Sequence, residues 1–316
     1  MEKFVLIDGN AILHRAYHAL PPLTNKKGEI VNAVYGFFSM LIKIINDIKP
    51  NFLAVCFDRA APTFRKVLYV GYQAKRPKVA DDLVPQIGIV HEVLQKAKVA
   101  IFEVDGYEAD DLIGTIANQA QSAKRKAQNI EVIIVSGDRD MLQLVNSHVK
   151  ILAPVKGITE MILFDEAKVE EKYGIKSSQF IDYKSFVGDS SDNYPGVAGI
   201  GPKTARDLLQ KYETFENLYQ NLSSLPEKIG KKLATDAEQA ALAKKLATIV
   251  TDAPIRLDFE QCSINKFSNE GARSAFEELG FKSLIKRLEN KGIEDKEKEQ
   301  VKNKAGGQKI TQMGLL

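Results

Sequence analysis

Residues 3–10 read KFVLIDGN: Phe4, Val5, Leu6 and Ile7 run together and deliver the chain directly onto a carboxylate, Asp8. A short apolar run without polar alternation is the signature of a strand buried on both faces of a parallel sheet. The pattern recurs along the chain. FLAVCFD at 52–58 ends on Asp58, VAIFEVDGYEADD at 99–111 leads to Glu108, Asp110 and Asp111, and EVIIVSGDRD at 131–140 leads to Asp138 and Asp140. A further strand is predicted over 149–152. Helical periodicity fills the intervals over 32–48, closed by Pro50, and over 82–97 and 108–126. Strand alternating with helix implies an α/β fold, a mostly parallel sheet flanked by helices on both faces.

In open parallel sheets the ligand crevice lies outside the carboxyl ends of the strands. Acids at four strand ends would therefore converge, and they repel one another unless cations neutralise them. Oxygen donors without nearby His or Cys favour Mg²⁺ or Mn²⁺ over zinc. An Asp after a strand can also be an ordinary cap or turn residue, the reading given to Asp105. Repetition at every main strand is what favours metal-assisted phosphoryl chemistry. Glu108, Asp110 and Asp111 also open a helix, where its positive end faces them.

Composition sets the frame. With 316 residues, 44% apolar and 27% charged, the chain can bury a full core, and its net charge of +3 excludes no partner. Cys56 and Cys262 stand alone, without CxxC spacing, which argues against a disulfide framework or zinc site and fits a reducing cytosol. The N-terminal apolar run is too short for a signal segment and no later run reaches membrane length, so a soluble cytoplasmic, nucleoid-associated protein is expected.

Residues 60–79 break the alternation. They carry Arg65, Lys66, Lys75, Arg76 and Lys78 among Phe64, Tyr69 and Tyr72, with no acidic residue, and read as a basic excursion from the sheet or a solvated basic face. From about 165 onward short amphipathic helices dominate. There GDSSDN at 188–193 holds Asp189 and Asp192 three residues apart, able to share one side of a turn or simply to cap a helix. It is followed by GVAGIGPKTA at 196–205, which resembles a helix–hairpin–helix element. Gly199 and Gly201 permit a tight turn that brings backbone N–H groups toward phosphate, with Thr204 in the turn and Lys203 and Arg206 adding charge. A Walker A loop fails here because Pro202 separates the last glycine from Lys203 and no strand precedes it. Residues 291–307 are a mixed-charge run that reads as a flexible tether.

The motifs VLIDGNAILHRAYHA, FDRAAPTFR, GYEADD, SGDRD and GDSSDNYPGVAGIGPKTA are similar to those of one family. Over about 1–290 the chain resembles the 5′→3′ exonuclease domain of bacterial DNA polymerase I, within the wider flap-endonuclease family. The resemblance implies a PIN-like catalytic domain over 1–175, with a helical arch at about 60–97. It also implies an all-helical helix–three-turn–helix DNA-binding domain over 176–290. Asp8, Asp58, Glu108, Asp110 and Asp138 would surround one Mg²⁺ or Mn²⁺, and Asp111, Asp140, Asp189 and Asp192 would hold a second, with no side-chain nucleophile required. Arg65 and Arg76 match the family's phosphate-clamping residues and Tyr72 its base-stacking aromatic. One position departs: the run Tyr72-Gln73-Ala74-Lys75-Arg76 places Gln73 where the family has a lysine, and Lys75 is the nearest substitute.

The implied activity is metal-dependent 5′→3′ exonuclease and 5′ flap endonuclease action on DNA, at a 5′ flap or 5′ end of a duplex junction, and on RNA primers. Loop carbonyls of the glycine hairpin could hold K⁺. The run Gln312-Met313-Gly314-Leu315-Leu316 resembles the sliding-clamp-binding pentapeptide. A binding protein that has lost catalysis, and a PIN-type ribonuclease, are the alternatives. The chain stops where fused members continue, which reads as a stand-alone enzyme or a fragment.

Overall fold

The computed structural model describes residues 1–123 and 130–289. Its centre is a six-stranded sheet in the order β3-β2-β1-β4-β5-β6. The strands are β1 (Glu2–Asp8), β2 (Phe52–Cys56), β3 (Ala100–Phe102), β4 (Ile130–Val135), β5 (Val149–Lys156) and β6 (Glu160–Phe164). All neighbours are parallel except β6, which returns antiparallel on β5. Strand pleating divides the residues of β1 between two cores. Phe4 and Leu6 pack with Leu112 and Ile116 of α5 (Ala109–Ser122), whereas Val5 and Ile7 pack with Phe37 and Phe38 of α2 (Asn32–Ile48). The central strands β1, β2 and β4 need apolar residues at both parities, which is why their sequences do not alternate.

The chain runs β1 to β2 to β3 on one side of β1 and β4 to β5 on the other. Strand order therefore reverses between β1 and β4, and a crevice opens at their carboxyl ends. Asp8 ends β1 beside Cys56 of β2, and Asp138 follows β4 by three residues. The topology thus does the converging that the sequence pattern required.

Two elements lie outside the alternation read from sequence: α1 (Gly9–Ala19), capped by Asp8, and the edge strand β6. The basic excursion is also smaller than an arch over 60–97. It holds one short helix, α3 (Phe64–Leu68), and a turn, while α4 (Val84–Lys96) buries Val90, Val93 and Leu94 in the α2 core. The second lobe comprises α6 (Glu166–Tyr173), α7 (Phe180–Val187), the strand pair β7 (Gly188–Asp189) and β8 (Tyr194–Pro195), and then α8 (Pro202–Tyr212). Next come α9 (Phe215–Gln220), α10 (Glu227–Thr235) and α11 (Ala237–Ala247). Helix α12 (Asn269–Leu279) returns to the sheet domain, where Phe276 meets Phe38 at 5.4 Å between ring centres. Among the described residues no helix is long and apolar enough to cross a membrane.

Candidate metal centre

The crevice is a cavity of about 290 Å³ lined by Asp8, Asp58, Glu108, Asp110, Asp138 and Asp192. Four of these acids are aimed by hydrogen bonds. Asp8 accepts from Ala11 N–H at 2.9 Å, capping α1, and its other oxygen accepts from Ser136 Oγ at 2.6 Å. Asp58 accepts from Ala109 N–H at 2.7 Å, tying the end of β2 to the start of α5. Glu108 is the N-cap of α5, and its two oxygens accept from Thr63 Oγ1 at 2.9 Å and Tyr72 Oη at 3.0 Å. Asp138 accepts from Asp140 N–H at 2.8 Å.

A second group adjoins the first. Asp140, Asp189 and Asp192 present oxygens all within 4.8 Å of one another, an arrangement able to hold a metal ion. Asp189 and Asp192 reach it because β7 and β8 close the GDSSDN loop into a hairpin. Gly188 makes this possible: its φ is +74°, and a Cβ there would sit 2.4 Å from Gly196 N.

Cations of the protein itself already sit among these acids. Lys184 of α7 bridges Asp140, at 2.5 Å, and Asp189; Arg76 pairs with Asp192 at 2.5 Å. Burial and then Asp138 push the Asp140 carboxyl up to about 7, and burial alone is the chief cause of a similar rise to about 7 at Asp8. Asp110 is held well above the usual carboxylate range by burial, Glu108 and Asp138. Burial works against Asp189 too, but the bonds from Lys184 and Ser191 more than offset it and leave that carboxyl below the usual range.

The donor set fits a hard divalent cation. Every donor is a carboxylate oxygen, and burial and repulsion disfavour the charge on Asp8 and Asp110. The Tyr194 hydroxyl is buried without a hydrogen-bond partner among the described residues, in the field of Asp140, Asp189 and Asp192.

A pH dependence follows. Asp8 and Asp140 keep their protons to about 7 in the folded, metal-free protein, against 3.8 for a free carboxyl. Between those values the folded state binds more protons than the unfolded chain, so stability falls as pH rises through this window. The expected result is a lower melting temperature at pH 8 than at pH 6 without metal, with Mg²⁺ recovering more at pH 8. Equal Mg²⁺ effects at both values would contradict it.

Three residues are placed differently from the sequence expectation. Asp111 does not join the metal-facing acids. It is fully buried and takes both terminal nitrogens of Arg65 at 2.7 Å, along with the N–H groups of Glu108 at 3.1 Å and Val250 at 3.0 Å. Arg65 correspondingly does not face DNA. It is 2% exposed and also donates to the carbonyls of Leu246 and Thr248. Tyr72 is buried as well, its hydroxyl on Glu108 and its ring 6.4 Å from Tyr194, so it presents no free face to a base.

The other candidates remain accessible. Gln73 lines the acid cavity and its N–H bonds the Asp192 carbonyl at 2.8 Å, while Lys75 is exposed. In the glycine hairpin, Gly199 has φ +72° and its carbonyl accepts from Lys232 Nζ at 2.9 Å; Gly201 caps α8, Lys203 is exposed, and Thr204 and Arg206 are half-buried. Lys184 is the residue that sequence reading missed. Its only signal is a lysine on α7 shortly before GDSSDN, and a single charge on an amphipathic helix has no period to mark it. The Gln312–Leu316 motif lies outside the described residues.

Comparison with known proteins agrees with this architecture. Residues 3–174 match the sequence profile "5′-3′ exonuclease, N-terminal resolvase-like domain", and residues 175–270 match "5′-3′ exonuclease, C-terminal SAM fold". DNA polymerase I of Caldicellulosiruptor bescii is 41% identical over 288 residues, covering 90% of this chain and 33% of that protein. DNA polymerase I of Bacillus subtilis is 39% identical over 288 residues, covering 91% and 32%. The chain thus spans about a third of the length of the curated relatives it matches. Among solved structures, T5 D15 protein co-crystallised with metal ions shares the fold at TM-score 0.65 and 19% identity, covering 92% of this chain and 98% of that one. The catalytic core of Rad2 in complex with DNA substrate does so at TM-score 0.56 and 14% identity, covering 91% and 92%. By its acids at the sheet's switch point, its helical second lobe and these matches, the chain belongs to the 5′-3′ exonuclease family.

Proposed function

We propose that the protein hydrolyses phosphodiester bonds at 5′ ends and 5′ flaps of duplex junctions, in DNA and in RNA primers, during replication and repair. The observation that carries this reading is the convergence of acids from four strand ends on one cavity, with Asp192 of the adjoining Asp140–Asp189–Asp192 group lining it too. Asp8, Asp58, Glu108, Asp110 and Asp138 would hold one divalent cation, and Asp140, Asp189 and Asp192 a second. Mg²⁺ is the ion proposed, with Mn²⁺ as a substitute. Such ions activate water and stabilise charge on the scissile phosphate. The protein's own part is to aim the acids through Ser136, Ala109 and Thr63, and to place Arg76 where it can transfer from Asp192 to a phosphate oxygen.

Residues 1–175 would carry the chemistry and 176–290 the grip on duplex backbone, with K⁺ proposed at the glycine hairpin, where Lys232 now occupies the Gly199 carbonyl. A sliding clamp is proposed to engage the Gln312–Leu316 motif, and the cytoplasm, at the nucleoid, is the proposed location. Cleavage of a labelled double-flap DNA with Mg²⁺ tests the reading. Release of short 5′ products is expected, and activity on unstructured RNA alone would favour a ribonuclease instead.

Gln73 supplies a narrower test. It lines the acid cavity without a charge. Gln73→Lys should raise the single-turnover rate about tenfold, since a cation aimed at a phosphate gains most in the transition state. An unchanged rate would remove Gln73 from the site.

A further inference from the structure

At the amino ends of the strands, opposite the acids, α2 and the β4-β5-β6 part of the sheet enclose a groove of about 490 Å³. Ile44 and Ile48 of α2 form one side, and Ile133, Leu152, Met161 and Leu163 of the three strands form the floor. Leu152 and Leu163 are register partners, so their side chains share this face, and on the edge strand Leu163 remains 44% exposed. Most rim charges are satisfied in place, Lys43 by Asp47 at 2.5 Å and Lys150 by Glu131 at 2.6 Å. Of the rim's charged groups, Lys3 alone has no ion pair among the described residues. Such a groove suits an uncharged apolar segment rather than an ionic ligand.

The path of the chain indicates which segment. Residues 282–289 form a helix that runs beside α2 in the same direction. Ser283 Oγ meets Tyr35 Oη at 2.9 Å, and one turn further along Arg287 Nη1 donates to Ser39 Oγ at 2.5 Å. Tyr35, Ser39, Lys43 and Asp47 stand four residues apart and form one ridge of α2. At Glu289 the chain is therefore heading along that ridge toward Lys43 and Asp47 on the groove's rim, with Lys43 one turn, about 5–6 Å, past Ser39.

Ten of the twenty residues from 290 to 309 are charged, so that stretch is a poor occupant. Residues 310–316, ITQMGLL, carry no charged side chain and hold Ile310, Met313, Leu315 and Leu316. The other stretch outside the described residues, KRKAQN at 124–129, has three cations and no large apolar side chain. Twenty-one residues of chain from Glu289 to Ile310 span up to about 70 Å, so reach is no obstacle. We propose that residues 310–316 of the same chain occupy this groove, with Met313 and Leu315 against Leu152, Met161 and Leu163. Groove and sliding clamp would then compete for Gln312–Leu316, and a clamp would have to draw the segment out. The inference does not depend on the nuclease reading.

A segment tethered in this way acts at an effective concentration on the order of 1 mM, so stable docking needs a Kd of about 0.1 mM for the free segment. A fluorescent peptide of residues 308–316 is titrated against three full-length chains and its anisotropy read. These are wild type, the double variant Met313→Asp with Leu315→Asp, whose own segment is disabled, and that double variant with Leu163→Lys added. The peptide should bind the double variant at about 0.1 mM, and wild type about tenfold more weakly because its groove is already filled. Leu163→Lys should cost at least about tenfold, as a cation would then face the apolar floor. A peptide bearing Met313→Asp should bind none of the three, a control that no folding defect in the chain can mimic. Equal binding to wild type and the double variant would show the groove open and overturn the proposal. So would no binding to the double variant at about 1 mM peptide, or undiminished binding after Leu163→Lys. If wild type sediments as a dimer that Leu163→Lys alone converts to monomer, a second copy fills the groove and the proposal falls.

Discussion

Asp110→Ala lowers cleavage by on the order of 10³-fold or more while leaving DNA affinity within about twofold, as expected when a group that holds transition-state charge is removed. Asp110 is the informative position because its carboxylate caps nothing. It stands in the first turn of α5, lines the acid cavity, and accepts no hydrogen bond from a described residue. Asp8 would be a poorer choice, since its loss also uncaps α1 and frees Ser136. Single-turnover cleavage with Mg²⁺, beside binding in EDTA, separates the two quantities. A mutant that still turns over at a comparable rate would remove Asp110 from the metal-holding set. A mutant that loses binding equally would make its role one of general electrostatics.

The second large effect concerns stability. Arg65→Met strands Asp111 as an uncompensated buried charge, which costs about 3–5 kcal/mol. At about 2–4 °C per kcal/mol for a chain of this size class, the melting temperature should fall by about 6–20 °C. The loss is large because this one side chain ties three places together. Its guanidinium joins the base of the basic excursion to Asp111 on α5, and to the Leu246 and Thr248 carbonyls at the end of α11. The double variant Arg65→Met with Asp111→Leu should recover much of the loss, because a buried ion pair replaced by apolar groups is often close to neutral. If Arg65→Met melts like wild type and instead binds DNA weakly, Arg65 faces the substrate, as its sequence context suggested.

The contrast between Arg65 and Arg76 shows where sequence reading reaches its limit. Both are arginines in one basic stretch with aromatic neighbours, and composition gives them the same role. In the structure one is 2% exposed on Asp111 and the other stands 47% exposed on Asp192 at the cavity mouth. The same applies to the neighbouring acids Asp110 and Asp111. Consecutive residues on a helix point about 100° apart, so one turns to the cavity and the other inward to Arg65 and Val250. GYEADD offers nothing that says which is which.

What the sequence by itself determined is the sheet and the chemical class of its crevice. Doubly buried strands need unbroken apolar runs, and acids directly after those runs have only the carboxyl edge of the sheet to occupy, so Asp8, Asp58 and Asp138 were legible one strand at a time. Burial and pairing partners belong to no single strand. Lys184 enters the site from the second lobe, Tyr72 turns its hydroxyl onto Glu108, and Arg76 comes to rest on Asp192. These placements are set by contacts between residues far apart in the chain, whose energies depend on distances that no local period encodes; only the tertiary structure decided them.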